Sequence, residues 1–221
     1  MKLLLQGIIK YLISLIITSL LIFIPSGTIK NFNAWLLLII LFLPILIYKI
    51  YLYIKKPKLV KRKLNSKEKQ TKQQITLILS LILFIIGFIV SGLDFKYMWT
   101  NIPNYVQIIS CITLLIGYAL YVKIMNENEY LLRTIEIEKK QKLVDTGLYS
   151  LIRHPMYLSI ILILLSIPLI LKSLYGFYIF LIFPLILIIK IKNEEKILIK
   201  ELKGYSAYKL KVKYKLIPYI W

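Results

Sequence analysis

A single cysteine (Cys111) and a single histidine (His154) in 221 residues leave no material for a disulfide framework and almost none for a zinc site. No metal site is therefore expected. Acidic residues are scarce, 10 against 30 Lys and Arg, which gives a formal charge of +20. None of the eight glycines forms Gly-x-Gly, so a dinucleotide fingerprint and a P-loop are both excluded. With one histidine, no Ser-His-Asp triad is placed.

What the chain has in quantity is apolar length. Hydrophobic residues make up 59%, charged residues 18%, and the mean hydropathy is +0.75. A soluble domain is nearer half apolar and a quarter charged, so most of this chain is expected in lipid. Apolar runs separate the basic clusters, which suits anionic headgroups as partners and argues against nucleic acid.

Crossing ~30 Å of hydrocarbon takes ~20 apolar residues in a helix. Four segments satisfy this: Leu3 to Pro25, Ala34 to Ile54, Ile75 to Leu93, and Tyr105 to Met125. A fifth block, 156–189, is interrupted at Lys172-Ser173 and carries Pro168 and Pro184. It is too long for one helix and reads as a tight helical hairpin. The first segment lacks a small-residue cleavage site and is expected to stay as an anchor. The fold class is thus all-α, a polytopic membrane bundle of five to six transmembrane helices with a cytoplasmic C-terminal helix. Residues 1–125 hold the four spans and a basic linker, 55–74. Residues 126–221 hold the hairpin 156–189, the C-terminal cytoplasmic segment and the candidate cofactor-binding stretches.

In a six-crossing arrangement, 23 of the 30 basic residues fall on one side, in 55–72, 126–154 and 190–221. The opposite loops offer Lys30, Lys96 and Lys172. By the positive-inside rule both termini and the basic segments are cytoplasmic. The segment 126–154 balances five bases with five acids, and is expected to continue the fourth span as a helix through about Lys140. An extended Lys142-Leu143-Val144 and a turn at Asp145-Thr146-Gly147 follow.

Two stretches hold candidate functional residues. In Gly147 to Tyr157, Pro155 fits the first position of a helix, which makes His154 its N-cap. Helix N-termini attract carboxylates and phosphates, Arg153 adds a fixed planar cation, and the faces of Tyr149 and Tyr157 suit a cationic ligand. The purely structural reading is an Arg reaching headgroups beside a helix-starting Pro and interfacial tyrosines. In Lys190 to Trp221, Glu194 and Glu195 stand where the last apolar helix leaves the membrane and suit an ammonium or ribose hydroxyls. The alternative there is an amphipathic helix with loose Lys–Glu pairs, ended by Gly204. Beyond Tyr208, basic and apolar residues alternate from Lys209 to Leu216, which predicts an extended ribbon at the lipid surface.

Taken in order, RHPMY, an apolar hairpin, NEEKIL, ELKGYSAY and YKLIPYIW resemble the C-terminal half of the isoprenylcysteine carboxyl methyltransferase family. More broadly they are similar to the membrane methyltransferases grouped with it and with phospholipid N-methyltransferases. The resemblance covers roughly Asn126 to Trp221, and the chain's compact size is like that of microbial members in a cell membrane. It implies S-adenosylmethionine as methyl donor. It implies further that Lys142, Leu143 and Val144 border the adenine, and that Tyr149, His154, Pro155 and Tyr157, beside Arg153, line the ribose and methionine part. Glu194 or Glu195 would hold a polar end. Lys190, Tyr157 and Glu195 are the candidate catalytic residues, with Lys190 steering an anionic, lipophilic acceptor and Tyr157 facing the sulfonium.

The sequence departs from relatives at Leu148 (often Pro), Ser159 (often Gly) and Lys190 (Arg). Lys190 keeps the charge but loses bidentate carboxylate recognition, so a prenylcysteine-type carboxylate is one acceptor and not a necessary one. Competing readings are a phospholipid or small-molecule N- or S-methyltransferase, a nicotinamide-dependent membrane reductase, and a non-catalytic polybasic scaffold.

Overall fold

The computed structural model describes residues 2–57, 59, 60, 71–128, 130 and 141–221. Among these every regular element is helical: α1 Lys2–Ser26, α2 Phe32–Lys55, α3 Thr71–Tyr97, α4 Asn104–Glu127, a 3-10 turn Gly147–Ser150, α5 Pro155–Ile170, α6 Leu174–Phe180, α7 Ile182–Glu201 and α8 Tyr205–Lys211. Five segments are long and apolar enough to cross a membrane, namely Leu5–Ser26, Phe32–Lys55, Gln73–Tyr97, Asn104–Glu127, and Leu174–Glu201 with its bend. The expected all-α bundle of five to six spans is what the chain forms.

Helix α5, at 16 residues, rises only about 24 Å and is shorter than a full crossing. It forms the hairpin with α6 and α7 across a turn at Leu171 to Ser173. Pro184 lacks the amide that would bond the carbonyl of Phe180, and the bend between α6 and α7 falls there. Beyond the bend α7 continues without a break past Ile189 to Glu201, so the hairpin's second arm and the post-membrane helix are one element.

A core of Ile22, Leu37, Phe88, Leu114, Ile170 and Phe180 ties α1 through α6 together. At the end of the bundle away from His154, Asp94 (1% exposed) organises the hairpin turn. Its carboxylate accepts from Ser173 Oγ at 2.6 Å, from Thr100 Oγ1 at 2.8 Å and from the Thr100 amide at 2.9 Å. Ser173 in turn caps α6 by accepting from the Gly176 amide. A Cβ at Gly176 would collide with Ser91 Oγ, so a side chain there would drive α6 off α3.

Three local expectations need correction or fall elsewhere. Helix α4 ends at Glu127, with Asn128 extended; most of the predicted continuation, residues 129 and 131–140, lies outside the described residues. Gly204 does not end the post-membrane helix. That helix stops at Glu201, and Gly204, at φ +87°, starts α8 instead. The predicted ribbon from Lys209 is helical as far as Lys211, because Tyr205, Tyr208 and Val212 recur at helical spacing and bury together against Leu202. Period-two alternation of Lys with apolar residues obscured that stripe.

Candidate active site

The two motif-bearing stretches meet. Pro155 is the first residue of α5 and His154 its N-cap, as the sequence predicts, although the imidazole makes no capping hydrogen bond. On α7, Ile191 and Glu195 follow Leu187 at four-residue intervals, so the buried apolar stripe that seats the helix also carries Glu195 to the start of α5. There Arg153 Nε donates to Glu195 Oε1 at 2.7 Å, and His154 Nε2 lies 3.3 Å from the same oxygen. Lys215 Nζ is 3.6 Å from Glu195 Oε2. Both carboxylate oxygens are therefore occupied by protein cations or donors.

Arg153 (6% exposed) also donates through Nη1 to the chain after α8, at 2.7 Å to the Val212 carbonyl and 2.9 Å to that of Lys213. The Arg153 and His154 amides donate to the Tyr214 and Lys215 carbonyls. The stretch after Lys211 thus runs alongside 153–154 and closes over the Arg153–Glu195 pair. A buried guanidinium with no partner would be costly; a carboxylate and two carbonyls offset that cost here.

Glu194 differs from its neighbour. It accepts from the Tyr157 hydroxyl at 2.6 Å, lies 4.0 Å from His154 Nδ1, and keeps an 18% exposed side chain. Lys190 Nζ stands over the Tyr157 ring, 5.7 Å from its centroid, so that face already holds a cation. Leu143 packs on Leu202, Tyr205, Tyr208 and Val212, which brings 142–144 to the same region, with Lys142 exposed and Val144 half-buried.

Residues that the sequence reading did not single out complete the cluster. Glu127 Oε2 accepts from the Leu148 amide at 3.0 Å, and a Cβ at Gly147 (φ +60°) would lie 2.5 Å from the Glu127 carboxylate. Only glycine permits that approach. Tyr208 donates to the Tyr149 carbonyl at 2.7 Å and fixes the 3-10 turn to α8. Tyr205 (3% exposed) has a buried hydroxyl without a hydrogen-bond partner, and the Tyr149 hydroxyl, near Asn128, also makes no hydrogen bond of normal geometry. The signal for Tyr205 was the Tyr205–Tyr208–Val212 spacing. Burial pushes the hydroxyls of Tyr149, Tyr205 and Tyr208 up from their ordinary value, so each stays a protonated donor.

Residues 105–204 match the model of the phospholipid methyltransferase family. That segment runs from the start of α4 to the residue before α8 and takes in Glu127, Tyr149, Arg153, His154, Tyr157, Lys190, Glu194 and Glu195. It is a little under half of the chain. The family falls in the group of integral membrane methyltransferases that the motifs resemble, so the resemblance holds at the level of that group. No curated protein matches the chain. The apolar helices and the family match together describe an integral membrane protein whose residues 105–204 resemble the phospholipid methyltransferase family.

The residues present suit a polar donor carrying both charge signs and hydroxyls. Two buried phenol hydroxyls, of Tyr149 and Tyr205, have no internal hydrogen-bond partner, and the Glu194 carboxylate retains exposure for an ammonium or hydroxyl. Among the described residues no group of three or more His, Cys, Asp or Glu stands together as metal ligands.

Proposed function

We propose that the chain transfers a methyl group from S-adenosylmethionine to a lipophilic acceptor at the membrane face where α5 begins. The observation that carries the reading is the buried contact of Arg153 and His154 with Glu195, which joins the two motif stretches into one cluster. The donor supplies an already activated methyl carbon, so the protein's task is in-line placement, which can contribute ~7 to 11 kcal/mol in well-oriented reactions.

In this reading Glu195 is a positioning residue, because its oxygens are taken by Arg153, His154 and Lys215. Glu194, Tyr149 and Tyr205 contact the donor, with 142–144 bordering its base and Pro155 setting the backbone. Tyr157 and Lys190 stand on the acceptor side, where Lys190 attracts an anionic group. A carboxylate of the prenylcysteine type fits that charge. The family description favours a second acceptor, a phospholipid amine, for which Lys190 must move off Tyr157 or lose its proton.

Incubating purified protein with isotopically methyl-labelled donor and mixed membrane lipids tests the proposal. Label extracted with the lipids is expected, and its stability to mild base separates an ester from a methylated amine. No transfer to any lipid fraction, together with no donor binding, would overturn it.

A further inference from the structure

A cavity lies within the bundle, between α1, α2, α4 and α5. Its volume is about 430 Å³, within the ~300 to 1,000 Å³ usual for small-molecule sites and toward the size of one hydrocarbon chain. Most of the wall is apolar, with Pro44, Ile45, Leu52 and Ile163 among its residues. The cavity belongs to the same end of the molecule as His154, because it touches the start of α1, the end of α2, the end of α4 and the start of α5.

Its polar groups share one sign. Lys10 and Lys49 line it, and none of the described residues on its wall is acidic. Lys49 sits six residues before the end of α2, about 9 Å inward along the axis, where an ionisable residue is costly without a role. Its ammonium rests over the Tyr11 ring at 5.2 Å. The neighbouring residue Tyr48 also lines the cavity, and its hydroxyl is buried with no hydrogen-bond partner. Cationic residues and a residue with an unused hydroxyl on the wall of an otherwise apolar space call for an anionic acceptor group on an apolar body.

We infer that this cavity binds a single-chain anionic amphiphile, its chain along the apolar wall and its carboxylate or phosphate head at Lys49, Lys10 and Tyr48. Ile160 of the wall is one turn of α5 beyond Tyr157, so the occupant lies next to the proposed transfer site. That this amphiphile is the methyl acceptor rests on the methyl-transfer reading; that it binds does not.

The test uses the full chain in detergent with cis-parinaric acid, a fluorescent single-chain carboxylic acid, and with its methyl ester. The acid is expected to bind about tenfold tighter than the ester, as one charge-assisted hydrogen bond allows. Lys49→Gln should bring the two affinities together, and Tyr48→Phe, which removes no internal bond, should weaken the acid severalfold. Ile163→Trp, which fills the space, should abolish both. Equal affinities in the unaltered protein, or a preference untouched by Lys49→Gln and Tyr48→Phe, would overturn the inference. Titration with S-adenosylmethionine on the same samples separates the claims. Amphiphile binding without donor binding removes the methyl-transfer reading and leaves the cavity assignment standing. Donor binding without acid preference removes the cavity assignment alone.

Discussion

Arg153 and Tyr205 mark two different uses of burial. The guanidinium donates through Nε to Glu195 and through Nη1 to two carbonyls, so Arg153→Ala leaves a buried carboxylate facing only His154 and Lys215. Loss of one partner of such a pair costs about 3 to 5 kcal/mol, and a clear drop in thermal midpoint is expected. Tyr205 carries a hydroxyl with nothing to lose inside the protein. Tyr205→Phe is therefore expected to leave the thermal midpoint within about a degree or raise it, while weakening donor binding about tenfold if the hydroxyl serves the ligand. A fall in stability with unchanged donor affinity would make Tyr205 a packing residue only. At this scale the sequence displayed Pro155 and its N-cap, because proline's missing amide and fixed φ restrict where it can stand. It did not display which glutamate would be saturated. Adjacent Glu194 and Glu195 differ by about 100° around a helix, and only the four-residue spacing from Leu187 and Ile191 separates them.

The hairpin turn depends on Asp94 as the start of α5 depends on Glu195. Asp94→Ala deprives Ser173, Thr100 and the Thr100 amide of their common acceptor, and an unsatisfied buried group costs about 1 to 3 kcal/mol. The prediction is a lower thermal midpoint and earlier proteolysis near 171–173, with Asp94→Asn intermediate. A midpoint equal to that of the unaltered protein would show that water or lipid replaces these bonds. The apolar spans and the break at Lys172 were legible from hydropathy, since lipid demands long uninterrupted runs. Asp94 was not, because it follows the last apolar residue of a span and looks like a loop acid until the turn folds over it. Helix α8 was hidden for a related reason: its lysines alternate with apolar residues, and the pattern fits a strand as well as a short helix.

Across the whole molecule, charge and hydropathy set the arrangement. From the positive-inside rule we propose that His154, α8 and both chain ends face the cytoplasm, with the turns at 98–103 and 171–173 on the opposite side. In a Cys111→Ser background, Leu210→Cys (80% exposed) should label only after the membrane is opened, and Met98→Cys (86% exposed) in intact cells. The reverse pattern would invert the topology and place the candidate site where no cytoplasmic donor reaches it.

The claim on which the account turns is that α5's first residues and the Glu194–Glu195 pair form one methyl-donor site. Calorimetric titration of S-adenosylmethionine into detergent-solubilised protein, with His154→Ala alongside, tests it most directly. Saturable binding to the unaltered chain, lost or weakened at least tenfold in a variant that stays monodisperse, is the predicted result. No binding to the unaltered chain, or equal affinity in both, would contradict it.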